Sequence, residues 1–182
     1  MTPANWITLL RLLIALIGAF MLNAGEPPER VKFTTALFII SISLDKLDGV
    51  VARKYNCCTT VGKHFDIAAD KIVIAVFFLC LMDLRLVSRH LMSAWLIREM
   101  LTQAFRNYAA LKGIFIRTYR LSKARYIIQC IAIATGLLSF VSLGMNLANP
   151  LREVSIICFI TGLALGYLTF WHIIVDHWRE VL

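Results

Sequence analysis

Six long apolar runs divide the sequence, and they constrain its fold more than any other feature. A helix needs about 20 mostly apolar residues to cross the hydrocarbon core of a bilayer. Only 16% of the residues are charged, against roughly 25% in soluble domains. The sequence therefore predicts an all-α membrane protein, a single domain over residues 1–182 that folds as a bundle of six transmembrane helices. The predicted spans are approximately 5–24, 31–53, 63–84, 89–111, 123–146 and 152–176.

Basic residues are concentrated in the second and fourth connections between these runs. Those two connections hold eight Lys and Arg residues, against five in the other three. Cytoplasmic loops carry such an excess, so both termini and these two connections are predicted to be cytoplasmic. The net charge of +8 is then explained by topology and by anionic head groups, and no nucleic-acid partner is expected. The eight residues are Arg53, Lys54, Lys63, Lys112, Arg117, Arg120, Lys123 and Arg125.

Four aspartates lie where the second run ends and the third begins. Asp45 and Asp48 are three residues apart, and Asp66 and Asp70 are four apart, so each pair shares one face of a helix. If the two runs form an antiparallel hairpin, all four carboxylates meet near the cytoplasmic interface. The pattern therefore predicts one acidic site built by two adjacent helices.

Such a cluster needs compensating positive charge. Each ionised Asp at the centre of a membrane helix costs about 2.5–3.5 kcal/mol, and neighbouring like charges add to this cost. Mg²⁺ fits best, with Mn²⁺ as the alternative, because carboxylates and substrate phosphates commonly bind it together. Two ions about 3.5–4 Å apart would suit an in-line phosphoryl displacement. Gly49 and Ala52 would let a diphosphate approach the backbone closely.

The residues alone leave two other interpretations open. Small residues such as Gly49 and Ala52 often mark close packing between membrane helices, and a single Asp near the end of a span is often interfacial. A cation transporter could also use the Asp cluster as its ion site, although the sequence lacks the internal repeat that marks many transporters.

The spacing of the acidic segment resembles a family signature. It is similar at every fixed position to that of the CDP-alcohol phosphotransferases, reading Asp45-x2-Asp48-Gly49-x2-Ala52-Arg53-x8-Gly62-x3-Asp66-x3-Asp70. The resemblance implies a six-helix membrane enzyme that moves a substituted phosphoryl group from a CDP-linked donor to an alcohol and releases CMP.

The resemblance also implies roles for individual residues. Asp45, Asp48, Asp66 and Asp70 would bind the metal ions, and Asp70 would in addition accept the proton of the acceptor hydroxyl. A second group would bind the CDP donor, namely Asn5, Thr8, Gly49, Ala52, Arg53 and Gly62.

Further matches are similar to bacterial phosphatidylglycerophosphate synthases, among them Asn5-x2-Thr8-x2-Arg11, Asp70-Lys71 and Arg98-Glu99. Arg98 and Arg106 lie on one face of the fourth run, and Lys123 and Arg125 open the fifth run from the same side. Cations that converge on the carboxylates would bind the phosphate of an acceptor such as glycerol 3-phosphate. For Arg98 and Arg106, an ion pair with Glu99 competes with this role.

The expected substrates are therefore CDP-diacylglycerol and a phosphorylated small alcohol. A cardiolipin synthase or a phosphatidylinositol(-phosphate) synthase would use the same chemistry with another acceptor. The expected location is the lipid bilayer of a bacterial plasma (inner) membrane with the active site facing the cytoplasm, and a homodimer is expected by resemblance. Departures from the subfamily pattern leave the metal site intact and affect the choice of acceptor; they are Ala4, Lys46, Ile67, Ser122 and Tyr126.

Overall fold

The computed structural model describes the backbone of most of the chain and a smaller set of side chains. The backbone is described for residues 3–21, 27–54, 60–114, 116, 120–142 and 147–181, and side chains for 6, 8–21, 29–44, 68–114, 116, 121–142 and 147–177. Within these residues the chain forms six α-helices and no strand. Each predicted apolar run coincides with one helix, which confirms the all-α class. The helices are α1 Pro3–Met21, α2 Pro27–Lys54, α3 Thr60–Asp83, α4 Arg89–Leu111, α5 Arg120–Val141 and α6 Ala148–Val181.

Local sequence signals account for several helix ends. Pro27 opens α2, where its fixed φ suits the first turn and its missing N–H is not needed. Ser88 precedes α4, and its hydroxyl accepts a hydrogen bond from the backbone N–H of Leu91 at 3.3 Å, which caps the helix. Gly113 follows α4 with a φ of 77°, a left-handed conformation that favours glycine and ends helices.

A shared contact holds the first three helices in register. Phe38 of α2 and Phe77 of α3 pack edge to face, with ring centroids 4.8 Å apart. Gly18 of α1 lies against both of these helices, since a Cβ added there would be 3.5 Å from Leu37 of α2 and 3.6 Å from the Phe77 ring of α3. The Thr34 hydroxyl also donates to the Gly18 carbonyl at 3.2 Å. Two of these helices, α2 and α3, carry all four predicted aspartates.

Aromatic and hydroxyl contacts join the remaining helices to this unit. The Phe78 ring of α3 packs edge to face on Trp95 of α4, with centroids 5.3 Å apart, and on Phe159 of α6, with centroids 4.7 Å apart. Ser155 of α6 donates its hydroxyl to the backbone carbonyl of Ala132 in α5 at 2.7 Å. The core is thus continuous from α3 to α6.

The Gly136→Ala variant is expected to lose about 1–2 kcal/mol of unfolding free energy. The added methyl would lie 2.7 Å from Ser155 Oγ and 2.8 Å from Leu81 Cδ2, and both residues are buried. Overpacking of this kind costs typically about 1–3 kcal/mol, which exceeds the gain of up to about 1 kcal/mol in helix propensity. Thermal unfolding in detergent measures the change.

Gly162→Ala is the matched control, because among the described residues its added methyl meets only Gln129 Cγ at 3.3 Å and Ile128 Cγ2 at 3.7 Å. Its stability should stay level or rise. Equal losses in the two variants would contradict the close contact at Gly136.

Apolar side chains cover the outside of the bundle. In the part of the chain that the structure describes, two helical segments are long and apolar enough to cross a membrane, Leu121–Val141 and Ala148–His177. Every helix also exposes large apolar residues, which suits a surface that faces lipid. One example from each helix is Phe20, Ile39, Ile72, Met100, Ile127 and Ile157. These features indicate a membrane protein, whereas six spans and the orientation of the termini stay predictions.

Candidate active site

An ion pair connects α1 and α3. Arg11 Nη2 is 2.6 Å from Asp70 Oδ1; the Arg11 side chain is 1% exposed and that of Asp70 is 29% exposed. A second contact between the same helices joins Gly18 and Phe77. Arg11 precedes Gly18 by seven residues, and Asp70 precedes Phe77 by seven, which is about two helical turns in each case. The two helices therefore run parallel, and α1 holds Asp70 at a defined level.

A cavity of about 370 Å³ opens beside Asp70, between α3, α4 and α5. Five cationic side chains against two carboxylates give its lining a formal surplus of three positive charges. Such a concave cationic site attracts small anions and offers them charge-assisted hydrogen bonds. The charged lining residues are Asp70, Lys71, Arg98, Glu99, Arg106, Lys123 and Arg125.

One buried carboxylate connects three of these cations. The Glu99 side chain is 8% exposed, and its Oε2 accepts from Arg98 Nη1 at 2.5 Å and from Arg125 Nη1 at 2.9 Å. Lys71 Nζ lies 3.0 Å from Glu99 Oε1 and also donates to Gln103 Oε1. Glu99 therefore joins α3, α4 and α5 at the cavity wall.

Arg98 is buried, and its guanidinium is bound within the protein. Besides Glu99, it donates from Nε to the Gly166 carbonyl at 2.9 Å and from Nη2 to Thr169 Oγ1 at 3.0 Å. A Cβ at Gly166 would lie 3.0 Å from Arg98 Nε. The backbone of α6 therefore comes close enough to accept this hydrogen bond only because residue 166 is glycine. The ion pair with Glu99, one of the two alternatives for Arg98, is present.

Comparison with known proteins identifies the family of this chain. Residues 1–168 match the family model of the CDP-alcohol phosphatidyltransferases. The chain belongs to this family. It is therefore a transferase enzyme, and membership selects group transfer over the cation-transporter interpretation.

Several bacterial proteins align with most of the length of this CDP-alcohol phosphatidyltransferase. A protein of Rickettsia felis is 29% identical over 152 residues, which cover 82% of each chain. A protein of Bacillus subtilis strain 168 is 31% identical over 147 residues, which cover 74% of this chain and 75% of the relative. Both are named CDP-diacylglycerol–glycerol-3-phosphate 3-phosphatidyltransferase.

The structure describes part of the predicted transferase site. Asp70, Arg98, Arg106, Lys123 and Arg125 all line the cavity, so the four predicted phosphate-binding cations do converge beside an aspartate. Thr8 is buried, at 2% exposure. The other predicted residues lie on helices, with side chains outside the described set: Asn5 on α1, Asp45, Asp48, Gly49, Ala52 and Arg53 on α2, and Gly62 and Asp66 on α3.

Enzymes of this family use divalent metal ions. Among the side chains that the structure describes, no three His, Cys, Asp or Glu residues come together as a metal site, and three of the four predicted ligands lie outside that set. Asp70, the described member, has a carboxylate at the cavity wall, and oxygen donors of this kind are those that Mg²⁺ accepts. The chemistry of this one described carboxylate therefore fits the ion.

Two residues of the site were not assigned roles from the sequence. Arg11 belongs to the same Asn5-x2-Thr8-x2-Arg11 motif as Thr8, and a cation within an apolar helix is itself a functional signal. Lys71 follows Asp70 directly in the chain. Neither signal reveals the partner, because Asp70 is 59 residues from Arg11 and Glu99 is on the next helix from Lys71.

Proposed function

We propose that this enzyme transfers a phosphatidyl group from CDP-diacylglycerol to sn-glycerol 3-phosphate, forming phosphatidylglycerophosphate and CMP. The observation that carries the proposal is the cationic cavity beside Asp70, in a chain whose relatives are named for this reaction. A phosphorylated acceptor needs both features, since its phosphate requires cations and its hydroxyl requires a base.

The phosphate of the acceptor occupies the cationic cavity in this proposal. Arg106, Lys123 and Arg125 contact the phosphate oxygens directly, because each lines the cavity and guanidinium and ammonium groups bind phosphate well. Arg98 contributes from behind, since its guanidinium nitrogens already contact Glu99, Gly166 and Thr169. A volume of about 370 Å³ accommodates a three-carbon phosphate ester, for ligand cavities begin at roughly 300 Å³.

Asp70 acts on the hydroxyl of the bound acceptor. The hydroxyl oxygen forms a bond to the phosphorus that carries diacylglycerol, the bond from that phosphorus to the CMP oxygen breaks, and the hydroxyl proton passes to the Asp70 carboxylate. Arg11 orients this carboxylate by holding Oδ1 at 2.6 Å. An aspartate is a weak base, so its position within hydrogen-bond reach of the hydroxyl matters most.

Asp45, Asp48, Asp66 and Asp70 are the proposed ligands of two divalent ions, Mg²⁺ or Mn²⁺. When bound, the ions supply positive charge to the diphosphate of the donor. Helix register supports this grouping: Asp45 follows Phe38 by seven residues, Asp70 precedes Phe77 by seven, and Phe38 contacts Phe77. If α2 and α3 are antiparallel, moving two turns forward from Phe38 and two turns back from Phe77 leads in the same direction, so the backbones of Asp45 and Asp70 lie at one level.

The proposed donor site adjoins this level. Thr8 precedes Arg11 by three residues on α1, so the two share a helix face, and this face reaches Asp70. Asn5 belongs to the same Asn5-x2-Thr8-x2-Arg11 motif as Thr8. The other proposed donor-binding residues come from the family signature, namely Gly49, Ala52, Arg53 and Gly62.

The proposed setting is the bacterial inner membrane, with all six helices spanning and both termini and the active site on the cytoplasmic side. The cavity is lined by α4 from Arg98 to Arg106 and by the start of α5, and the connection between these helices is rich in the basic residues typical of cytoplasmic loops. A lipid donor and a soluble acceptor can meet at such an interface. A homodimer remains part of the proposal.

Purified protein supplied with CDP-diacylglycerol and Mg²⁺ is expected to release CMP when glycerol 3-phosphate is added. Phosphatidylglycerol, inositol and inositol phosphate serve as competing acceptors, and mass spectrometry identifies the lipid product. EDTA should stop the reaction and Mg²⁺ should restore it. CMP release with one of the other acceptors but not with glycerol 3-phosphate would reject this function and leave the reaction class intact.

A further inference from the structure

We infer that Glu99 is a positioning residue of the acceptor site, which fixes Arg125 in the geometry that binds the acceptor phosphate and holds Lys71 at the same cavity wall. The inference rests on the proposed function and adds to it a residue that contacts neither substrate. Glu99 acts through the cations that it orients.

The contacts of Glu99 are distributed so that each carboxylate oxygen holds a cation from another helix. Oε2 accepts from Arg125 of α5 at 2.9 Å, and Oε1 lies 3.0 Å from Lys71 Nζ of α3. Among the described residues, Arg125 makes its ion pair through Nη1 alone, which leaves Nη2 available to a phosphate oxygen. A long, flexible arginine gains one defined orientation from such a contact before the substrate arrives, and this lowers the entropic cost of binding.

The carboxylate is itself anchored from behind. Arg98 Nη1 binds Glu99 Oε2, while its Nε and Nη2 bind Gly166 and Thr169 of α6. The Arg98 side chain is 2% exposed, so this support lies within the packed interior. A chain of charge-assisted contacts thus runs from α6 through Arg98 and Glu99 to Arg125 at the cavity wall.

Two effects of removing the Glu99 charge oppose each other. The cavity becomes more positive by one unit, which by itself favours a phosphate dianion. A glutamine in place of Glu99 keeps one neutral acceptor oxygen and places an NH2 donor at the other position, so it cannot orient both Arg125 and Lys71, which disfavours binding of the phosphate. The field of one charge is weakened by water in an open cavity, whereas an arginine that is no longer oriented loses its directional hydrogen bond to the phosphate. Loss of orientation therefore dominates, and affinity for the acceptor falls.

Glu99→Gln is expected to raise the KM for glycerol 3-phosphate by roughly tenfold, the usual effect of losing a hydrogen bond to a charged group. The KM for CDP-diacylglycerol should change by less than about threefold. The change in kcat should be smaller than the change in the KM for glycerol 3-phosphate. Glu99→Asp, which keeps the charge on a shorter side chain, should recover part of the loss. Glu153→Gln, an exposed carboxylate on α6, is the control for charge and should match wild type.

A double-mutant cycle separates positioning from general stabilisation. If Glu99 acts through Arg125, then Glu99→Gln adds little to the KM of Arg125→Gln, because the group it orients has gone. Multiplicative KM effects, or an unchanged acceptor KM in folded Glu99→Gln, would overturn the inference. If Glu99→Gln does not fold, the same cycle with Glu99→Asp decides. Failure of wild-type protein to use glycerol 3-phosphate would instead reject the proposed function, so the two failures are distinguishable.

Discussion

Asp70→Asn is expected to abolish CMP release almost completely, by about 10³-fold or more. The substitution removes a proton acceptor, which alone contributes about 10²–10⁴-fold, and it removes a negatively charged ligand from the proposed metal site. The fold should survive, because an asparagine Oδ1 can still accept the hydrogen bond that Arg11 donates at 2.6 Å. CMP release under saturating substrates, with thermal unfolding measured in parallel, tests both statements.

Asp83→Asn is the matched control for this experiment. Asp83 ends the same helix, α3, and its side chain is exposed at the far end from the cavity. The control should keep wild-type turnover, since the chemical change is identical and only the position differs. Substantial CMP release by Asp70→Asn would show that another group accepts the proton.

Arg98→Met is expected to lower the unfolding free energy by about 3 kcal/mol. Removing one partner of a buried ion pair costs roughly 3–5 kcal/mol, and the lower end applies because Glu99 keeps Lys71 and Arg125 as partners. The carbonyl of Gly166 and the hydroxyl of Thr169 also lose a donor. In a chain of this size the midpoint of thermal unfolding should fall by about 6–12 °C.

Arg89→Met provides the comparison, since Arg89 opens the same helix with an exposed side chain. Its stability should stay within about 0.5 kcal/mol of wild type, as for most surface substitutions. If Arg98→Met were as stable as Arg89→Met but bound glycerol 3-phosphate poorly, Arg98 would be a direct phosphate ligand. That outcome would favour binding of the acceptor phosphate, the first of the two roles predicted for Arg98.

The number and type of helices could be read from the sequence because both depend on local pattern. Each apolar run became one helix, and α4 occupies residues 89–111, the range predicted for the fourth span. Spacing within one helix was equally informative, since residues three or four apart share a face whatever surrounds them. The acidic signature therefore led to the family, which the match over residues 1–168 confirmed.

Contacts between helices could not be predicted in this way. Helical periodicity shows which residues share a face, but the rotation of each helix about its axis depends on packing with its neighbours. The sequence therefore left Arg98 with two roles, and only the closeness of Gly166 and Thr169 on α6 bound its guanidinium inside the protein.

What the sequence determined by itself is the six-helix pattern, which depends on short-range spacing along single helices. It also indicated the reaction class, through the resemblance of its acidic segment to a family signature. The tertiary structure decided which charged side chains meet. It paired Arg11 with Asp70 across 59 residues and placed Glu99 between Lys71, Arg98 and Arg125. The physical reason is that a buried charge needs an opposite partner within a few ångströms, and that partner comes from whichever helix packs alongside.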